Sequence, residues 1–104
     1  MYDFSDAWFL TALLLLNDWS DMEQIISAGD VINHAIFMQE EMNQALQRLI
    51  PAGYIITDAD KYRATEKAHE LTACSAYKRA GLFTLAEVIL KRLNSRKQTK
   101  KRNE

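Results

Sequence analysis

The chain has one cysteine, one proline and three glycines in 104 residues. With Cys74 alone no internal disulfide can form, which points to a reducing compartment. Cys74 has neither a base nor a cation beside it in sequence to activate its thiol, and it reads as a small buried residue. Gly29, Gly53 and Gly81 are too scattered to build a phosphate-cradling loop. No serine-nucleophile motif is present. His34 and His69 stand far apart. Glu66-Lys67-Ala68-His69 has the Glu-x-x-His spacing of carboxylate metal sites. Such sites draw a second copy of the motif from another helix, and the chain has none, so the segment reads as a solvated helix face. These absences argue against an enzyme and call for no cofactor and no metal. The longest apolar run, Trp8 to Leu16 interrupted by Thr11, falls well short of the roughly 20 residues a membrane span requires. Asp3 and Asp6 stand where a signal peptide would carry positive charge. The expectation is a soluble, cytoplasmic protein without a membrane partner.

What is present is ordinary in amount and uneven in arrangement. Hydrophobic residues make up 48% and charged residues 26%, a globular balance for one domain with one modest core. The net charge of −1 conceals a split. Seven of the 13 cations fall at Lys91, Arg92, Arg96, Lys97, Lys100, Lys101 and Arg102, while 13 of the 14 acids precede residue 91. Residues 1–90 therefore sum to 6 − 13 = −7. An acidic body carries a basic end.

Taken in order, Phe4 to Asn17 reads as a helix capped near Asp3 or Ser5. It is apolar on nearly every side, from Ala7 through Leu16, and so must be covered on every side. Either it is a central core helix, or it packs on the core with one side and on a second subunit with the other. The second arrangement is favoured, because a small domain has few elements with which to wrap a helix. Ser20-Asp21-Met22-Glu23 has the spacing of a capping box and opens a second helix that turns Ile25, Ile26, Val31 and Ile32 inward. Gly29 within it marks a bend or a close packing point. His34 satisfies its end, and Ile36-Phe37 is an extended link.

Met42, Ala45, Leu46 and Leu49 then recur at helical spacing, with Glu40, Asn43, Gln44, Gln47 and Arg48 opposite them. Pro51 loosens the last turn and Gly53 closes the helix. Tyr54-Ile55-Ile56-Thr57 and Tyr62-Arg63-Ala64-Thr65 read as two short strands around the turn Asp58-Ala59-Asp60-Lys61. Thr65 caps a fourth helix from Glu66 to Gly81, with a thin stripe of Ala68, Leu71, Thr72 and Ser75. Thr84-Leu85-Ala86-Glu87 opens a fifth helix, with Leu82, Ala86, Ile89 and Leu93 on one face and Leu85, Val88 and Leu90 widening it. From Ser95 no apolar residue remains, and the basic end at 95–104 is expected to be disordered.

The run Ile25 to Ile36, followed by Glu41-Met42, Leu46, Leu49, Gly53-Tyr54-Ile55 and Tyr62-Arg63-Ala64-Thr65, resembles the winged-helix domain. The likeness spans roughly residues 6–80 and looks like that of small bacterial regulators grouped loosely with the MarR and PadR types. It implies a mainly α fold with a small β-hairpin (α+β), a winged helix-turn-helix with an extra C-terminal helix filling residues 1–94. The helix before the hairpin would be the recognition helix and the hairpin the wing. The function implied is transcriptional regulation through duplex DNA, by a homodimer paired through its terminal helices. Asn43, Gln44, Gln47 and Arg48 would then enter the major groove, where amides pair with adenine and arginine with guanine. Lys61 and Arg63 would meet the backbone, with Lys78, Arg79 and the basic end adding charge. Trp8, Leu15, Leu85, Ile89 and Leu93 would form the dimer contact. Trp8, Trp19 and Phe37 are read as core aromatics. Against DNA stand the −7 body and Glu40, Glu41, Asp58 and Asp60 beside the contact surfaces, since phosphate neutralisation carries most of the affinity. A winged-helix module that binds a basic protein partner is the other reading.

Overall fold

The computed structural model describes residues 1–72 and 81–102, the last seven by their backbone. Asp3 caps the first helix, α1 (Phe4–Leu16), with its backbone in an extended conformation. Its own N–H donates to Asp6 Oδ2 at 2.8 Å. The helix closes at Asn17 in the left-handed region (φ 55), whose N–H returns to Leu13 O at 2.9 Å. Every residue from Asp6 to Leu13 is buried, with α2, α3, α5 and the hairpin packed around it. The chain thus covers the first turns of α1 from within, as a central core helix. Burial of Phe9, Leu10 and Leu13 contributes about 1.5–3 kcal/mol each. Beyond Leu13 the helix emerges, and Leu15 is 46% exposed.

The second helix, α2 (Met22–Asn33), is capped by Asp21 rather than Ser20, and the box is closed by Gln24 rather than Glu23. Asp21 Oδ1 accepts from Gln24 N and Gln24 Oε1 accepts from Asp21 N, both at 2.9 Å. Ser20 is otherwise engaged: its N–H and C=O pair with those of Tyr62, each at 2.9 Å. The inward set is Ile25, Ala28, Gly29 and Ile32. Val31, expected inside, is 60% exposed, because neighbours on a helix point about 100° apart and Ile32 holds the core position. His34 ends the helix at φ 54 and donates its N–H to Asp30 O at 2.7 Å. Gly29 is a close packing point. A Cβ there would run into the ring of Phe37, with two of its atoms at 2.9 and 3.0 Å. Gly29 O accepts from Trp8 Nε1 at 2.8 Å, and the Trp8 and Phe37 rings lie 3.8 Å apart in the core.

The third helix, α3 (Gln39–Leu49), starts at Met38, which has no cap side chain of the usual kind. Glu41 Oε1 makes good part of this by accepting from Met38 N at 2.9 Å. Met42, Ala45 and Leu49 are buried and Leu46 half-buried, as the spacing predicts. The helix ends before Pro51, and Gly53 (φ 88) reverses the chain, so that Tyr54 N–H donates to Leu49 O at 3.0 Å. Strands β1 (Ile55–Asp58) and β2 (Lys61–Ala64) pair antiparallel, with Asp58 opposite Lys61 and Ile56 opposite Arg63. The turn residue Ala59 sits at φ 55, where a Cβ crowds the backbone. Thr65 Oγ1 accepts from Ala68 N at 3.3 Å and donates to Gly53 O at 2.6 Å, tying the hairpin base to α4 (Glu66–His69).

Of the fourth helix expected from Glu66 to Gly81, the described part is four residues of α-helix that tighten into a 3-10 turn at Glu70–Thr72. The remainder of that segment, with Cys74, Ser75, Lys78 and Arg79, lies outside the described residues. The last helix, α5 (Leu82–Arg102), starts two residues before Thr84, with Leu85 N–H donating to Gly81 O at 3.0 Å. Ala86, Ile89 and Leu93 are buried and α5 packs along α1. It continues through Arg102, so the basic end read as disordered is helical that far. Arginine, lysine and glutamine are good helix formers, and cations are favourable at the negative end of the helix dipole. Among the described residues the fold is five α-helices and one two-stranded antiparallel sheet, mainly α with a small hairpin. No helix among them is long and apolar enough to cross a membrane.

Two substitutions test this packing by urea denaturation. Gly29→Ala should lose about 1–3 kcal/mol by overpacking against Phe37, although alanine is the better helix former; an unchanged midpoint would refute the close contact. Ala59→Gly should gain about 1 kcal/mol by relieving the left-handed turn residue, and a loss of stability would contradict that geometry.

Candidate functional site

The polar residues of α3 divide into two sets with different surroundings, and the division begins at α1. Asp6 lies in the first turn of α1 and its carboxylate is fully buried against α3. Burial of an unpaired carboxylate is costly, so partners must converge on it. Asp3 N donates to Oδ2 at 2.8 Å, Arg48 Nη1 donates to the same oxygen at 2.9 Å, and Gln44 Nε2 lies 3.4 Å from Oδ1. Arg48 also donates to Met1 O at 3.0 Å and approaches Asp3 at 3.4 Å. Gln44 donates to Asp3 Oδ2 at 3.0 Å. The hydrogen bond to Asp6 holds the Arg48 guanidinium still further above its ordinary range, outweighing the opposing effect of desolvation. Nearby, burial raises the Tyr2 phenol; Tyr54 and Asp6 push the same way and Arg48 opposes them.

This arrangement revises the expected DNA-facing set. Gln44 and Arg48 turn back onto the start of α1, because a buried carboxylate claims them, and they serve the fold. Asn43 and Gln47 remain exposed, and Gln39 Nε2 donates to Asn43 Oδ1 at 3.1 Å. On β2, Lys61 and Arg63 are exposed on either side of half-buried Tyr62. Lys61 stands opposite Asp58 in the register of the hairpin. Lys67, which sequence reasoning did not single out, secures the hairpin base. Its Nζ donates to Ala52 O at 2.6 Å and lies 4.6 Å from the centre of the Tyr54 ring.

The residues expected at a dimer contact divide likewise. Trp8, Ile89 and Leu93 are buried in the chain's own core and have no surface to offer. Leu85 is half-buried, and Leu15 is the exposed member of the set. Glu66 is exposed and His69 half-buried at the edge of α4. No group of three or more metal-ligating side chains occurs among the described residues.

Sequence reasoning missed the role of Asp6. The signal was the spacing of Asp3 and Asp6 at the head of an otherwise apolar helix, which is that of a reciprocal cap. No protein-family model matches the chain, and neither a curated protein nor a solved structure matches it.

Removing Arg48 should therefore act first on stability. Arg48→Ala leaves Asp6 buried with weaker partners and should cost about 2 kcal/mol, below the roughly 3–5 kcal/mol of a fully buried pair because Arg48 is itself partly exposed. Adding Asp6→Asn to that variant should recover part of the loss, since the uncompensated charge disappears. A urea midpoint unmoved by Arg48→Ala would overturn the structural role.

Proposed function

We propose that the chain is a small winged-helix regulator that binds duplex DNA as a homodimer. The reading rests on fold-level analogy and is carried by one observation: consecutive elements α3 and the hairpin offer exposed Asn43 and Gln47, then exposed Lys61 and Arg63. The order of three helices and a hairpin supports it, as does the isolated bridge between Ser20 and Tyr62, which ties the start of α2 to β2. On this reading Asn43 and Gln47 meet base edges, Lys61 and Arg63 meet phosphates, and the basic end of α5 adds sequence-independent attraction. A second copy pairs along α5, where Leu85 and Phe83 reach the surface.

A protein-binding module is the second reading, favoured by a specific observation. Arg48, the sole cation of α3, is held by Asp6, while Glu40, Asp58 and Asp60 are exposed. That leaves a surface poor in free positive charge.

Titration of the full chain against random-sequence duplex DNA over a range of salt separates the two. Binding that weakens with salt is expected, and Lys61→Ala with Arg63→Ala should reduce the log–log slope by about 0.9 per charge removed. Asn43→Ala with Gln47→Ala should leave that slope in place and lower the preference among sequences. No binding at low salt would overturn the DNA reading in favour of the protein module.

A further inference from the structure

Residues 1–47 contain no lysine and no arginine, against eight carboxylates at Asp3, Asp6, Asp18, Asp21, Glu23, Asp30, Glu40 and Glu41. Large apolar side chains nonetheless reach the surface within this stretch, among them Leu15, Val31, Ile36 and Met38. Between the end of α1 and the outer side of α2 lies an open hollow. Its apolar lining is formed by Leu15, Leu16, Ala28 and Val31, and the carboxylates Asp21 and Glu23 line it as well. Gln24, Ser27, Ala28 and Val31 follow each other at i, i+3, i+4 and i+7, so the hollow runs along one stripe of α2.

We propose that this hollow docks a basic amphipathic helix of another protein. The apolar part accepts anchors spaced by three or four residues, as in helix-in-groove recognition. The carboxylates meet the lysines and arginines flanking those anchors. Phosphate-bearing ligands are disfavoured by the same carboxylates. The chain's own basic end is a poorer occupant, since it has no apolar residue after Leu93 and would meet the carboxylates while leaving Val31 and Leu15 bare. The site lies on different residues from those proposed to contact DNA, so a partner could engage it independently of that function.

The test uses the full chain and a fluorescent, synthetic helical peptide of leucine and lysine with its apolar residues on one face. A peptide of identical composition, scrambled to abolish that face, is the control. Saturable anisotropy change is expected with the amphipathic peptide, and binding about tenfold weaker with the scrambled one. Val31→Lys should weaken binding by a similar factor, and Glu23→Gln should weaken it less and reduce its salt dependence. Both side chains are exposed, so both variants should melt with the wild type, which circular dichroism checks. Equal binding of the two peptides, or no effect of Val31→Lys, would reduce the interaction to net charge and overturn the proposal. Absence of saturable binding would overturn it as well. Sedimentation of the peptide-free chain covers the remaining occupant: self-association abolished by Val31→Lys would give the hollow to a second copy instead.

Discussion

A single buried carboxylate sets the relation between the first and third helices. Asp6 is inside the fold with its oxygens directed at Asp3 N, Arg48 and Gln44. A lone charge at such a position would be expelled or neutralised, so α3 must keep Arg48 and Gln44 facing α1. That requirement fixes the rotation of α3 about its axis. Burial of Met42, Ala45 and Leu49 demands the same rotation, and the 2.9 Å bond from Arg48 to Asp6 agrees with it. The outward face, with Asn43 and Gln47 on it, follows from that choice.

The surface charge follows the same division. Among the described residues three cations serve the fold, Arg48 on Asp6, Lys67 on Ala52 O and the Tyr54 ring, and Arg92 on Leu71 O at 2.9 Å, where it satisfies the 3-10 turn, while Lys61 and Arg63 stay exposed. The carboxylates of the first two helices are mostly exposed. Among the described residues, attraction for polyanions falls to Lys61 and Arg63 of the hairpin and to the basic end of α5.

Much of the fold was legible because it follows from periodicity and from turn chemistry. The Met42, Ala45, Leu46, Leu49 stripe, the Gly53 reversal, the Asp58 to Lys61 turn and the Thr65 cap all involve residues whose conformational preference is local. Errors arose where a distant segment decided. Ser20 looked like a cap and pairs with Tyr62, 42 positions away, which moves the cap to Asp21. Val31 and Ile32 were both read as inward, although the two point about 100° apart and only Ile32 meets the core. Gln44 and Arg48 were placed correctly opposite the apolar stripe, but periodicity does not tell which other element covers that side. Trp8 was read in two ways, and the core stack with Phe37 together with the bond to Gly29 O decided it. Exposure was legible at four of the six candidate positions, Asn43, Gln47, Lys61 and Arg63, and the other two, Gln44 and Arg48, belong to the core's polar edge.

The clasp between Tyr2 and Asn94 shows in what order the fold can close. Tyr2 N donates to Asn94 Oδ1 at 2.9 Å and Asn94 Nδ2 donates to Tyr2 O at 3.2 Å, across 92 positions of chain. Bringing together points so far apart in an open chain costs about 4 kcal/mol of loop entropy, while two such bonds contribute about 1 kcal/mol each. The clasp is too weak to gather the chain and forms only after Ala86, Ile89 and Leu93 have docked on α1. It belongs to the last step of assembly, a latch that reports completion.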